Sequence, residues 1–213
     1  MNLRLILLRH GETDWNLESR YQGCIDTRLS AEGRAQAVAV ARALADRSLA
    51  AVYSSPLARA LETAEAIARP HGLGVRAAPA FNEICHGAWE GLTVTEVEAA
   101  FPDLYARWQE NPEAVTMPDG ESLAQVQERV LGELSRLRSF HEGETICLVS
   151  HDVPVRLLIL GALGLRLDRL WSIHLAATGI SEIEYGGEWT TLCRMNSVSH
   201  LGELVASLAH GAH

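Results

Sequence analysis

The chain has 213 residues, 47% of them hydrophobic, and a formal net charge of −9. The apolar content excludes wholesale disorder, and the length suits one α/β domain carrying a modest insertion. The acidic balance argues against nucleic acid or an anionic membrane as the main partner, so any phosphate site must gather its positive charge locally.

Residues 3–8 are a short apolar run that predicts a buried strand, broken by Arg9-His10-Gly11-Glu12-Thr13. Residues 30–45 are Ala-rich with helical spacing, and residues 50–54 read as a second strand. Ser55-Pro56 predicts a helix start, Ser at the cap and Pro at the first helical position, with the helix running through Arg69 and ended by His71-Gly72. Residues 75–77 suit a short third strand. From 82 to about 120 the pattern is irregular and reads as a small helical insertion. Thr93-x-x-Glu96 and Ser122-x-x-Gln125 are capping boxes, the second opening a long amphipathic helix to about His141. Residues 144–150 predict another strand and 155–163 an apolar helix. Residues 179–185 and 188–195 predict a closing hairpin around Gly186-Gly187.

Alternating strands and helices imply a three-layer α/β sandwich, its mostly parallel sheet covered by helices on both faces. One domain spanning 1–213 is expected, with the 82–120 insertion over the active site. Cys24, Cys85, Cys147 and Cys193 lie far apart without a Cys-x-x-Cys pair, and are expected as free thiols of a reducing, cytoplasmic setting. The N-terminus lacks the pattern of a signal peptide, and no stretch approaches the roughly 18 apolar residues needed to span a bilayer. The strand edges at 179–195 allow a homodimer. Trp89, Trp108, Trp171 and Trp189 are expected as packing residues, and Trp15 as a buttress of the first loop.

Ligands of open parallel sheets bind outside the carboxyl ends of the strands. Arg9, His10 and Gly11 follow the first strand. Ser54 and Ser55 follow the second, with Arg59 a helical turn further on. Ser150, His151 and Asp152 follow the strand that ends near Val149. Two histidines and two arginines thus point to one edge. Guanidinium forks suit phosphoryl oxygens, and a neutral imidazole is a competent nucleophile near neutrality. Phosphoryl transfer needs positioning and charge stabilisation above all.

Arg9-His10-Gly11-Glu12-Thr13-x-x-Asn16 resembles the signature of the histidine phosphatase superfamily, the phosphoglycerate mutase-like proteins. Four further segments agree in order: Gln22-Gly23, Leu29-Ser30-x-x-Gly33, Ser54-Ser55-Pro56-Leu57-x-Arg59-Ala60-x-x-Thr63-Ala64, and Val149-Ser150-His151. The resemblance implies that His10 is phosphorylated, that Arg9, Arg59 and His151 line the phosphate pocket, and that Asn16, Gln22 and Gly23 bind substrate. It matches Glu83 to the proton donor, with Glu90 as the rival acid. It implies no cofactor and no metal, and no histidine spacing suggests a metal site.

Mutases of that family resemble one another in a long insertion after the Glu motif, whereas only about 38 residues separate Glu83 from Ser122 here, so the resemblance implies hydrolysis of a small phosphorylated metabolite rather than a phosphoglycerate mutase reaction. Three stretches are most similar to metal-independent phosphoserine phosphatases: Glu83-Ile84-x-His86-Gly87-x-Trp89, Val149-Ser150-His151-x-Val153-Pro154-x-Arg156, and Ser199-His200-Leu201-Gly202-Glu203. That likeness implies phosphoserine as the leading substrate and a role for His86 and His200 around its amino-acid part. His86 would reach a substrate carboxylate or be a packed, backbone-bonded ring. Asp152 departs from the small hydroxyl residue of that group. It would cap the following helix or meet a substrate ammonium. Alternatives are a mutase, a sugar- or glycerate-phosphate phosphatase, and a non-catalytic phosphate sensor.

Overall fold

A computed structural model describes residues 2–187, 189–202 and 204. The first strand, β1 (Leu3–Arg9), alternates its side chains between two cores. Leu3, Leu5 and Leu7 face one, Ile6 and Leu8 the other. The same period of two runs through β2 (Ala51–Ser54) and β4 (Thr145–Ser150), where Ile146 and Leu148 join the first core and Cys147 and Val149 the second. A sheet apolar on both faces needs a helical layer on each, which is why the pattern yields three layers.

On the second core sit α2 (Ala31–Leu44) and α3 (Ala58–Ala68), through Val40, Ala41, Ala60, Ala64 and Ile67. On the first sit α6 (Leu123–Phe140) and α7 (Asp152–Leu163), through Val126, Val130, Leu157 and Leu160. With β3 (Val75–Ala77), β5 (Ile180–Tyr185) and β6 (Thr190–Ser197), the sheet runs β3-β2-β4-β1-β5-β6. β1, β2, β3 and β4 are mutually parallel, β5 runs antiparallel to β1, and β6 runs antiparallel to β5. The expected mostly parallel sheet is therefore present. Arg9 pairs with Ser150 and Ser54 with Val149, so the carboxyl ends of β1, β2 and β4 finish together.

A short helix, α1 (Asp14–Leu17), follows β1, while α4 (Val94–Ala100) and α5 (Pro102–Glu110) occupy the irregular stretch before α6. Thr93 and Ser122 close the anticipated capping boxes, and Ser30 caps α2 through the N–H of Gly33. Two helix starts differ from expectation. α3 begins at Ala58, because the Ser55 hydroxyl bonds Asn82 and the N–H of Leu57, while Asp26 takes the N–H of Ala58. α7 begins at Asp152, three residues early. Pro154 has no N–H to orphan in a first turn, and its other early donors find an acceptor described below. Trp189 was expected to pack, but it is 80% exposed where β6 begins, at the sheet edge. Glu188, in the expected hairpin, and Glu203, in the expected tail motif, lie outside the described residues. Among the described residues no helix is long and apolar enough to cross a membrane.

The loop after β1 rests on the start of α2 through two glycines. A Cβ on Gly33 would lie 1.9 Å from the Glu12 carbonyl oxygen, and one on Gly11 would lie 2.6 Å from the Gly33 oxygen. Backbone cannot yield there as a flexible side chain would. Gly33→Ala is expected to cost about 1–3 kcal/mol, as overpacking does. Thermal unfolding checks this, and a variant melting with the wild type would contradict the packing.

Candidate active site

The nucleophile candidate is fixed by its own backbone. His10 follows β1, is buried, and receives its place from its N–H bonding the Ser150 carbonyl at 2.9 Å. Its Nδ1 lies 2.6 Å from the Gly11 carbonyl oxygen. A carbonyl only accepts, so Nδ1 carries the proton and the Nε2 lone pair is exposed for chemistry. Burial, then the charges of Arg59 and Arg9, holds its pKa well below the ordinary value, and the ring is neutral at pH 7.

The His151 ring stands edge-on to His10, centroids 5.1 Å apart. It is buried and kept neutral by the same causes, burial first and then Arg59. Arg59 comes from the first turn of α3. Its Nη2 donates to Gly23 O and its Nη1 to Ile25 O, both at 2.8 Å, and burial lowers its pKa to about 10. Arg9 Nη1 donates to Leu175 O at 3.1 Å. The Nε atoms of Arg9 and Arg59 and both ring nitrogens of His151 are buried without a protein partner. Buried polar atoms of this kind normally have one, and the arginine Nε–H groups and one nitrogen of the neutral His151 ring are donors, so this cluster is built for an acceptor that the chain itself does not supply.

Beside these groups a cavity of about 90 Å³ is lined by Arg9, His10, Asn16, Gln22, Gly23, Arg59, Glu83, His86 and Asp152, among others. His151, expected to line the pocket, does not; it is fully buried against the His10 ring. The Asn16 carbonyl oxygen is taken by the N–H and hydroxyl of Thr13, and the Gln22 oxygen by Thr27. Both amides therefore keep NH₂ groups to offer a ligand. Gly23 adopts φ +52°, a left-handed conformation suited to glycine.

Glu83 lines the same cavity and is buried. Its carboxylate accepts the N–H groups of Ile84, Asp152 and Val153, at 3.0, 3.1 and 3.2 Å. Two of those are the first donors of α7, so Glu83 caps that helix from another part of the chain. Burial, reinforced by the Asp152 charge, nonetheless lifts its pKa to about 7, against the N–H bonds and the arginines. A carboxyl half protonated at neutrality suits acid–base work.

Asp152 does not cap α7, because it is already the helix's first residue, with His151 at the cap position, and Pro154 two residues on has no N–H to offer. Its carboxylate instead accepts from Arg156 Nε at 2.7 Å and meets Arg9 Nη1 at 3.4 Å. His86 is packed among Tyr21, Trp89 and Trp108, as the packed-ring reading expected, but the backbone bond of that reading is missing at Nδ1, which has no partner, and the ring lines the cavity. Burial drops its pKa to about 4. His200 was expected at the substrate, and the structure places it elsewhere. It does not line the cavity, and its Nε2 meets the Thr178 hydroxyl at 3.1 Å. Thr178 in turn donates its N–H to Arg9 O, so His200 reaches the site only through that strand end. Trp108 and Trp171, expected to be packing only, also line the cavity, as does Trp15.

Several contributors carry no sequence signal. Arg129 of α6 donates to the carbonyls of Ala80, Asn82 and Glu83 and pairs with Glu121, which accepts the N–H of Cys85. In the sequence it is one more charge on an amphipathic helix. Cys24 and Cys85, expected as free thiols, are joined by a disulfide across 61 residues, while Cys147 and Cys193 remain free. Their spacing announces nothing, because only the folded loops bring them together. Among the described residues, the side chains close enough to share a metal ion are Cys24, Cys85 and Glu90. The two sulfurs are bonded to each other there.

A family model described as the histidine phosphatase superfamily, branch 1, matches residues 5–198. Phosphoserine phosphatase 1 of Hydrogenobacter thermophilus is 39% identical over 210 residues, covering 99% of each chain. A glucosyl-3-phosphoglycerate phosphatase of Mycolicibacterium vanbaalenii is 37% identical over 178 residues, 80% of this chain and 78% of that one. The solved structure of Bacillus stearothermophilus YhfR superposes with a TM-score of 0.89 at 34% identity, covering 93% of this chain and 99% of the other.

Proposed function

The chain belongs to the histidine phosphatase superfamily and is a phosphatase, and we propose that it hydrolyses small phosphomonoesters through a phosphohistidine on His10, with phosphoserine as its leading substrate. One observation carries the mechanism: Nδ1 of His10 is committed to the Gly11 carbonyl, which leaves Nε2 as a neutral nucleophile beside Arg9, Arg59 and His151.

In the first step Nε2 forms a bond to phosphorus as the bond to the ester oxygen breaks. Protonated Glu83 gives its proton to the departing alkoxide. In the second step the Glu83 carboxylate takes a proton from water, whose oxygen attacks phosphorus and displaces His10. Free phosphate leaves, and Glu83 is protonated again for the next turnover. The unpartnered donors of Arg9, Arg59 and His151 bind the phosphoryl oxygens and stabilise charge in both steps. The chemistry is complete with these side chains, so turnover is expected to persist in EDTA.

Phosphoserine is supported by the relative of that activity along nearly the full chain. Asp152 and His86 on the cavity wall offer an acceptor for an ammonium and a donor for a carboxylate. A second reading, a sugar- or glycerate-phosphate substrate, is favoured by the aromatic wall of Trp15, Tyr21, Trp108 and Trp171 and by the mycobacterial relative. A panel of phosphoserine, 3-phosphoglycerate, a hexose phosphate and an aryl phosphate, assayed for phosphate release in EDTA, separates the two. Phosphoserine is expected to lead in kcat/KM by about 10-fold or more, the net worth of one hydrogen bond. A hexose phosphate in the lead would support the second reading. Isomerised 3-phosphoglycerate without phosphate release would identify a mutase, and binding without turnover a sensor.

A further inference from the structure

Glu90 matched no position of the proton donor in the sequence, and its geometry gives it other work. It follows the turn at Gly87–Trp89, and a single carboxylate oxygen, Oε1, accepts the N–H of Cys24 and the N–H of His86, each at 2.9 Å. Those donors belong to two different walls of the site. Cys24 ends the segment Gln22-Gly23-Cys24, whose Gly23 carbonyl anchors Arg59. His86 ends the segment that carries Glu83.

The carboxylate also lies directly against Gly23. A Cβ at that position would fall 2.1 Å from Glu90 Oε1. The absent side chain at residue 23 is thus what lets the carboxylate reach both N–H groups. The Cys24–Cys85 disulfide joins the same two segments one residue away. Two ties, one polar and one covalent, span one joint.

We propose that Glu90 is a positioning residue that clasps the phosphate-gripping wall, Gln22 to Cys24, to the acid-bearing wall, Glu83 to His86, with the disulfide as its covalent partner. The proposal rests on the reading of His10 as nucleophile and Glu83 as acid. Removing the carboxylate leaves two backbone donors without their acceptor and frees Arg59 to shift relative to Glu83. The chemistry depends on that separation, because attack and protonation occur on opposite sides of one phosphorus. While the disulfide holds, part of the geometry survives. Once it is reduced by a dithiol, giving two thiols and the oxidised reductant, the carboxylate still ties Cys24 to His86, beside the backbone bonds of Tyr21 with Gly91 and Leu92.

The test uses the full chain as wild type, Glu90→Ala and Glu90→Gln, each with and without dithiothreitol. The state of Cys24 and Cys85 is read by alkylation and mass. An aryl phosphate and phosphoserine give kcat, KM and the pH profile, and thermal unfolding confirms that each variant is folded. Oxidised E90A is expected to lose about 10-fold in kcat/KM and reduced E90A about 100-fold, the scale of a misplacement near 1 Å. The loss should fall mainly on kcat. Reduced wild type should stay within about threefold of oxidised, and E90Q, which keeps an acceptor oxygen, within about fivefold of wild type. The alkaline limb of the pH profile should not move in any of them.

Full activity of E90A in both redox states would overturn the clasp. So would equal loss in both states, since the two ties would then not share a joint. An E90Q as impaired as E90A and lacking the alkaline limb would make Glu90 the acid. Failure of the underlying reading looks different: the wild type itself would then show no alkaline limb near the Glu83 value.

Discussion

His10→Ala abolishes turnover, by on the order of 10⁵-fold, as removal of a nucleophile does when the rest of the site remains. The remainder here is substantial. Arg9, Arg59 and His151 keep their unpartnered donors, and none of them depends on the His10 ring for a hydrogen bond. Anion binding should therefore outlive catalysis. Inorganic phosphate or vanadate should still raise the unfolding temperature of H10A, because any ligand bound only by the native state stabilises it. The phosphoryl adduct should behave oppositely. Wild type mixed with labelled substrate and quenched in alkali should retain an acid-labile label, and H10A should retain none. A variant turning over within 10-fold of wild type, or still labelled, would remove the phosphohistidine from the mechanism. Loss of both turnover and anion binding would mean that the substitution had damaged the cradle, and Arg59→Ala would then serve as the reference for that defect.

What the sequence disclosed follows the range of the interactions. The strands and caps were legible because their signals are local. The alternation of Leu5, Ile6, Leu7 and Leu8 assigns two faces within one strand, and the Thr93 and Ser122 boxes close within three residues. The convergence of His10, Arg59 and His151 was legible too, because a parallel sheet gathers its strand ends at one edge. The errors share a cause. Asp152 looked like a cap because the carboxylate that takes the first N–H groups of α7, Glu83, lies 69 residues away. Ser55 looked like a cap because Asn82 and Asp26 are distant partners. The disulfide, the Glu90 bond to Cys24 and the Arg129 bonds to Ala80, Asn82 and Glu83 all join segments that only the finished fold places together. His200 was assigned by resemblance alone, and its partner Thr178 belongs to a turn with no motif. A carboxylate's neighbours decide its role, and most of those neighbours are remote in sequence.

Glu83→Gln should separate the acid from the nucleophile. With a pKa of about 7, set by burial and Asp152, the wild-type carboxyl is protonated below neutrality and lost above it. The His10 ring is already neutral well below its usual range. Its protonation therefore does not shape the profile near 7, and the alkaline limb of kcat/KM should report Glu83. E83Q should lose that limb and fall by about 10²–10⁴-fold on phosphoserine, whose alkoxide departs poorly without a proton. An aryl phosphate, with a far better leaving group, should lose much less in the first step. The second step still lacks its base, so labelled phosphoenzyme should accumulate in E83Q where H10A shows none. Stability gives an independent check of the same value. A carboxyl whose folded pKa exceeds its unfolded one binds more protons when folded, so its contribution is complete below about 4.5 and drains away as pH rises through 7. Wild type should therefore lose unfolding temperature relative to E83Q between pH 5 and 8, roughly the window in which the alkaline limb appears. Parallel melting curves across that range, or an alkaline limb that survives in E83Q, would place the titrating acid elsewhere in the cavity.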